Sequence, residues 1–90
     1  MSLVLDIGGN IGALVIHTGP EWAETEIELS PVSATTRSHN VVHARHNGHG
    51  VQHNAVFPQL AAGTYTVWRD AVTAHGTVTV TGGQVAEYHL

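Results

Sequence analysis

The sequence predicts an all-β fold, a small antiparallel β-sandwich of about seven strands. Three observations predict it. Short runs of β-formers recur along the chain, bounded by Gly, Pro, Asn and Ser. Several of these runs alternate apolar and polar residues with a period of two, and none sustains the 3.6-residue period of an amphipathic helix. An Asn47-Gly48 dipeptide, the strongest short hairpin signal, sits between two such runs.

The runs can be taken in order. An extra N-terminal strand is expected at Leu3 to Ile7. Gly12 to Thr18 (GALVIHT) is rich in β-formers. Pro20 to Glu28 opens with proline and an acidic first turn, a helix-start signal, but its apolar residues do not keep a helical period. At most one helical turn is expected there. Thr25 to Ser30 (TEIELS) alternates, with Ile27 and Leu29 inward and Glu26 and Glu28 outward. Asn40 to His46 and Val51 to Phe57 flank the Asn47-Gly48 turn. Gly63 to Trp68 is the next strand, and Thr77 to Thr81 (TVTVT) alternates cleanly. Gly82-Gly83 then turns the chain into a last strand, Val85 to Leu90. Ninety residues form a single domain, spanning residues 1–90, with one modest core.

The stretch NAVFPQLAAGTYTVW, Asn54 to Trp68, carries the phrase F-x-x-L-x-x-G-x-Y-x-V. In that phrase the chain resembles the prealbumin-like sandwiches, which include transthyretin-like, carboxypeptidase regulatory-like and collagen-adhesin B-type domains. The resemblance implies a seven-stranded Greek key in which Tyr65 and Val67 face the core and meet Phe57 and Leu60. It implies nothing firm about activity, because a sandwich hosts many unrelated functions. Two departures matter. Self-cross-linking adhesin repeats need a lysine, and this chain has none; transthyretin-like hydrolases end in Tyr-Arg-Gly-Ser, whereas this chain ends Ala86-Glu87-Tyr88-His89-Leu90.

Composition narrows the chemistry. Arg37, Arg45 and Arg69 are the only Lys or Arg residues, and the formal charge is −4. Nucleic acid is therefore not an expected partner, since its binding rests on neutralising phosphates. No apolar run approaches the ~20 residues of a membrane span, and the opening residues lack the basic stretch of a secretory signal. The expectation is a cytoplasmic protein that binds no membrane. There is no cysteine, hence no disulfide and no thiolate metal site.

Eight histidines in 90 residues are the chemical oddity, and five of them fall between His39 and His53. Protonating all eight would move the formal charge from −4 to +4 (−4 + 8). Treated as a hairpin, the segment has two registers. A two-residue turn Asn47-Gly48 sets His46 opposite His49. A four-residue turn, Asn47 to Gly50, sets His46 opposite Val51 and Ala44 opposite His53. Both place Val42, Ala44, His46, Val51, His53 and Ala55 on one face, which continues into Phe57 and is expected to be the core side. His39, His43, Arg45, Gln52 and Asn54 fall on the other.

That arrangement makes His46, His49 and His53 a candidate metal set. Three imidazoles with an open position suit a divalent transition metal such as zinc, copper or nickel. Solvated hairpin histidines are the plainer reading, and HNGH is not the helical H-x-x-x-H pattern. Trp68, Trp22 and His43 are the candidate binding residues; an exposed tryptophan can stack on a sugar or anchor a protein. No G-x-S-x-G elbow is present for Ser30, Ser33 or Ser38. Asp6 and Asp70 are too dispersed for a carboxylate pair. Gly8-Gly9-Asn10-Ile11-Gly12 lacks phosphate-loop spacing.

The expectation from sequence is a non-enzymatic binding or interaction domain that uses the His-rich hairpin and neighbouring aromatics, with a protein partner or a second copy of itself. The alternatives are a transition-metal-binding protein and a carbohydrate-binding module or hydrolase.

Overall fold

A computed structural model describes residues 7–90, and the expected strand at Leu3 to Ile7 lies outside them apart from Ile7. Among the described residues the chain is an all-β sandwich of two four-stranded sheets. The strands are β1 (Ile11–Thr18), β2 (Glu26–Pro31), β3 (Ser38–Val41), β4 (His43–Asn47), β5 (Gly50–Ala61), β6 (Gly63–Trp68), β7 (Ala74–Val80) and β8 (Val85–His89). One sheet has the order β4-β5-β1-β8, the other β3-β2-β6-β7. The shortest dimension of the molecule is 15 Å, that of two stacked layers. A single 3-10 turn, Pro20–Trp22, is what remains of the proline-led helix signal.

The strand count exceeds seven because the run Asn40 to His46 divides at Val42. Asn40 and Val41 pair with β2 in one sheet, whereas His43 onward pairs with β5 in the other. Val42 is the crossing point and is fully buried. Its N–H donates to Thr25 O and its carbonyl accepts from Glu24 N–H, each at 2.9 Å. Asn40 ties the two sheets together beside it, donating from Nδ2 to Val56 O at 2.6 Å.

β5 runs past Phe57, where the strand was expected to end, through Pro58 to Ala61. The pairs Leu14↔Phe57 and Gly12↔Leu60 leave one extra residue on β5, a bulge that contains Pro58. A proline, which has no N–H to give the ladder, is tolerated at such a position.

The core follows the alternation. Leu14, Ile16, Ala55 and Phe57 from one sheet meet Ile27, Leu29, Tyr65, Val67 and Val80 from the other, with Val42 and Leu60 closing the ends. Tyr65 and Val67 face inward as the phrase implied, and Ile27 and Leu29 do so as their alternation implied.

The pairing of β1 with β8 is parallel, in register Ala13↔Val85 to His17↔His89, within sheets that are otherwise antiparallel. β7 and β8, the edge strands on one side, are bridged by Tyr88. Its hydroxyl is 2.6 Å from His75 Nδ1, with the rings edge to face. Gly76 makes room for it: a Cβ there would stand 2.4 Å from Tyr88 Oη. Between Val67 and Trp68 the β6–β7 register slips, so His75 is an extra residue on β7. A bulge of this kind re-aims the side chain it carries.

Candidate functional site

The histidine hairpin adopts the second of the two registers. Asn47 pairs with Gly50, His46 with Val51, Arg45 with Gln52, Ala44 with His53 and His43 with Asn54. Gly48 and His49 form the turn, and Asn47 Oδ1 accepts the His49 N–H at 2.7 Å. Gly50, at φ +126°, completes a backbone path that a side chain would strain.

The hairpin projects from the sandwich. β1 reaches only as far as His53, its partner at Thr18. Residues 50–52 therefore pair with β4 alone. Every residue of β4 is exposed, and Val51 is 50% exposed. The expectation that Ala44, His46 and Val51 would form a core face is corrected here. The alternation is right, but no part of the opposite sheet covers the tip. The face is core only at its base, at Val42, Ala55 and Phe57; His53 is half-buried.

The proposed metal set is not assembled. His46 stands opposite Val51, His53 opposite Ala44, and His49 lies in the turn. On this register His46 and His53 are diagonal neighbours, a separation of roughly 7–8 Å for such pairs. Among the described residues, no group of three or more His, Cys, Asp or Glu side chains is gathered to hold a metal ion.

The candidate aromatics are already engaged. Trp68 is half-buried, its Nε1–H donates to Ser30 Oγ at 2.9 Å, and the Arg37 guanidinium lies 3.7 Å from its ring centroid. Arg37 in turn pairs with Glu28 at 3.5 Å. One face of the ring is thus covered. Ser30 is buried and accepts that indole N–H. Trp22 packs against the core cluster. Of the three candidate binding residues, His43 alone is exposed, on the outer side of the hairpin.

What sequence reasoning missed is a row across the outer face of the β4-β5-β1-β8 sheet, which joins His43 to residues it did not single out. Register aligns His43, Asn54, His17 and His89 in one transverse row, each opposite the next. The His17 and His89 rings stack, with centroids 4.8 Å apart and planes at 20°. His17 Nε2 is 2.9 Å from Glu87 Oε1. Asn54 is buried, and its Oδ1 accepts a hydrogen bond from Arg45 Nε. The row is built by one parallel and two antiparallel pairings, so no linear spacing in the sequence announces it.

No family model and no curated protein matches the chain. Among solved structures, the chain is similar to a leucine-rich repeat protein from Bacteroides thetaiotaomicron VPI-5482, with a TM-score of 0.59 and 17% identity. The match covers 91% of this chain and 12% of that one. At this identity the likeness concerns the fold alone: a sandwich of this shape occurs as a small part of a much longer chain.

Proposed function

We propose that this chain is a small non-enzymatic interaction domain whose working surface is the projecting β4–β5 hairpin and the sheet face continuous with it. The observation that carries this reading is the overhang. A two-stranded ribbon with both faces exposed adds little to the core, yet it presents His43 and Arg45 on one face, His46 on the other and His49 in the turn. The hairpin also leaves the outer side of β4 as a sheet edge, where a partner's extended backbone can pair. The recurrence of a similar sandwich as 12% of a longer chain is in keeping with a module that acts by contact.

The test uses the whole protein and a variant, His43→Ala/Arg45→Ala/His46→Ala. All three residues are exposed, but Arg45→Ala also removes the partner of the buried Asn54 Oδ1, so circular dichroism and a thermal melt establish that the variant is folded before it is used. Both are immobilised and challenged with an extract of the source cells. A partner retained by the native protein, lost by the variant and re-bound as a purified component supports the reading. Retention of the same proteins by both would overturn it.

A further inference from the structure

We propose that His17 and His89 are the two imidazole ligands of a divalent transition-metal site, with Glu87 as the residue that orients His17. The site lies at the β1–β8 end of the outer sheet face, two strands from His43 and away from His46 and His49 at the hairpin tip.

The argument starts from register. His17 and His89 are directly paired across two parallel strands, and their rings stack at 4.8 Å. To hold an ion, the two rings turn out of the stack so that one nitrogen of each faces the same point. The ligand–metal distances to be satisfied are about 2.0–2.1 Å for imidazole on zinc. The approach is open, because His89 is exposed and His17 keeps 25% of its side-chain surface.

The second observation is the carboxylate. An ionised carboxylate only accepts hydrogen bonds, so at the 2.9 Å contact His17 Nε2 is the donor. In the neutral ring the lone pair then resides on Nδ1. A histidine that ligates a metal through one nitrogen and donates from the other to a carboxylate is the usual arrangement around protein-bound metals, because it fixes the tautomer and raises the basicity of the ligating nitrogen. Glu87 lies two residues before His89 on the same face of β8, so one strand supplies both a ligand and the orienting group.

The remaining neighbours are consistent with a site of this kind. On the far side of His17 lies Asn54, whose Oδ1 is taken by Arg45. That guanidinium is therefore held toward the hairpin, and the ionised group touching His17 is the Glu87 carboxylate. Only two protein ligands are claimed, so water fills the other positions. Copper(II) and nickel(II), which favour nitrogen donors in tetragonal geometry, suit the pair better than an oxygen-seeking ion.

The experiment is calorimetric titration of the purified, tag-free protein with copper(II) or nickel(II) at neutral pH, with electron paramagnetic resonance of the copper form. One ion per chain and a spectrum showing two nitrogen ligands are expected. His17→Ala and His89→Ala should each abolish the stoichiometric site. Glu87→Gln should keep the stoichiometry but weaken affinity by about 10–100-fold, the usual cost of removing such a partner. His46→Ala/His49→Ala should change nothing. Circular dichroism of each variant establishes that it is folded before titration. Weak multi-site binding that survives His89→Ala, or loss of the site in the hairpin variant, would overturn the proposal and leave the stack as packing between strands.

Discussion

Tyr65 shows how one side chain joins core and backbone. Its ring is in the core, and its hydroxyl donates to Ala61 O at 2.6 Å across the β5–β6 turn. Tyr65→Phe keeps the ring and is expected to cost about 1 kcal/mol in a denaturant melt, the net value of such a hydrogen bond. Tyr65→Ala should cost roughly 3–5 kcal/mol, as for other buried aromatics. Burial also pushes the Tyr65 hydroxyl above its ordinary pKa of 10.0. The folded state holds that proton more tightly than the unfolded chain, so the associated stability is complete below the ordinary value. It is lost as pH rises beyond that value toward the folded one. Melting temperatures between pH 9 and pH 11 should therefore fall less steeply in Tyr65→Phe than in the native protein. Asp70 behaves with the opposite sign. The Val72 backbone N–H, followed by Thr73, holds its carboxyl below 3.8. Its contribution is present above that value and disappears as pH falls through the folded value, so Asp70→Asn and native melting curves should draw together in strong acid.

Among the elements, the closure between β7 and β8 depends on a small pocket of space. A methyl group on Gly76 would meet Tyr88 Oη at 2.4 Å but Tyr88 Cζ at an ordinary 3.5 Å. Gly76→Ala is thus expected to cost about 1–3 kcal/mol by overpacking and to break the His75 contact. Adding Tyr88→Phe removes the clashing oxygen. The double variant should be more stable than the sum of the two single changes by at least about 0.5 kcal/mol, a coupling that a denaturant double-mutant cycle reads directly. The hairpin tip behaves differently: His46→Ala/His49→Ala should shift stability by no more than about 0.5 kcal/mol, since both side chains are exposed.

These elements differ in how far the sequence disclosed them. TEIELS and GTYTVW declare both strand and face, because strict alternation fixes which residues turn inward. The hairpin's pairing was one of two readable registers. Whether its apolar face would be covered depended on where β1 and the opposite sheet end, which no local pattern states. Pro58 hid the continuation of β5, since a bulge and a loop look alike in sequence. The His17–His89–Glu87 cluster was the least legible. It arises from a parallel pairing between the two ends of the chain, whereas the dense run from His39 to His53 drew the eye to a place where the histidines stay apart.

At the scale of the whole molecule, the two sheets share one core, and Val42 is one of the places where the chain passes between them, the crossing from β3 to β4. Val42→Ala removes two methyl groups from a site with no exposure. The expected loss is roughly 2 kcal/mol, from about 0.8 kcal/mol per buried carbon plus the cavity left behind. The same substitution at the exposed Val51 should be nearly neutral, and a chemical-denaturation comparison of the two variants measures the difference between crossing point and overhang.

The position of β1 carries a consequence for time rather than for energy. β1 is an inner strand of its sheet, yet its two partners come from the middle and the end of the chain: Ile16 is paired on one side with Ala55 and on the other with Tyr88. Neither partner is within a short loop of it. Loop closure must be completed before either ladder rewards the chain, so folding belongs with the millisecond-to-second class of sandwiches dominated by non-local pairing. On a ribosome, β1 waits for β8, some seventy residues later in the sequence. Until Val85 to His89 has emerged, one side of β1 stays an open edge, and the nascent chain is most exposed to mispairing during that interval.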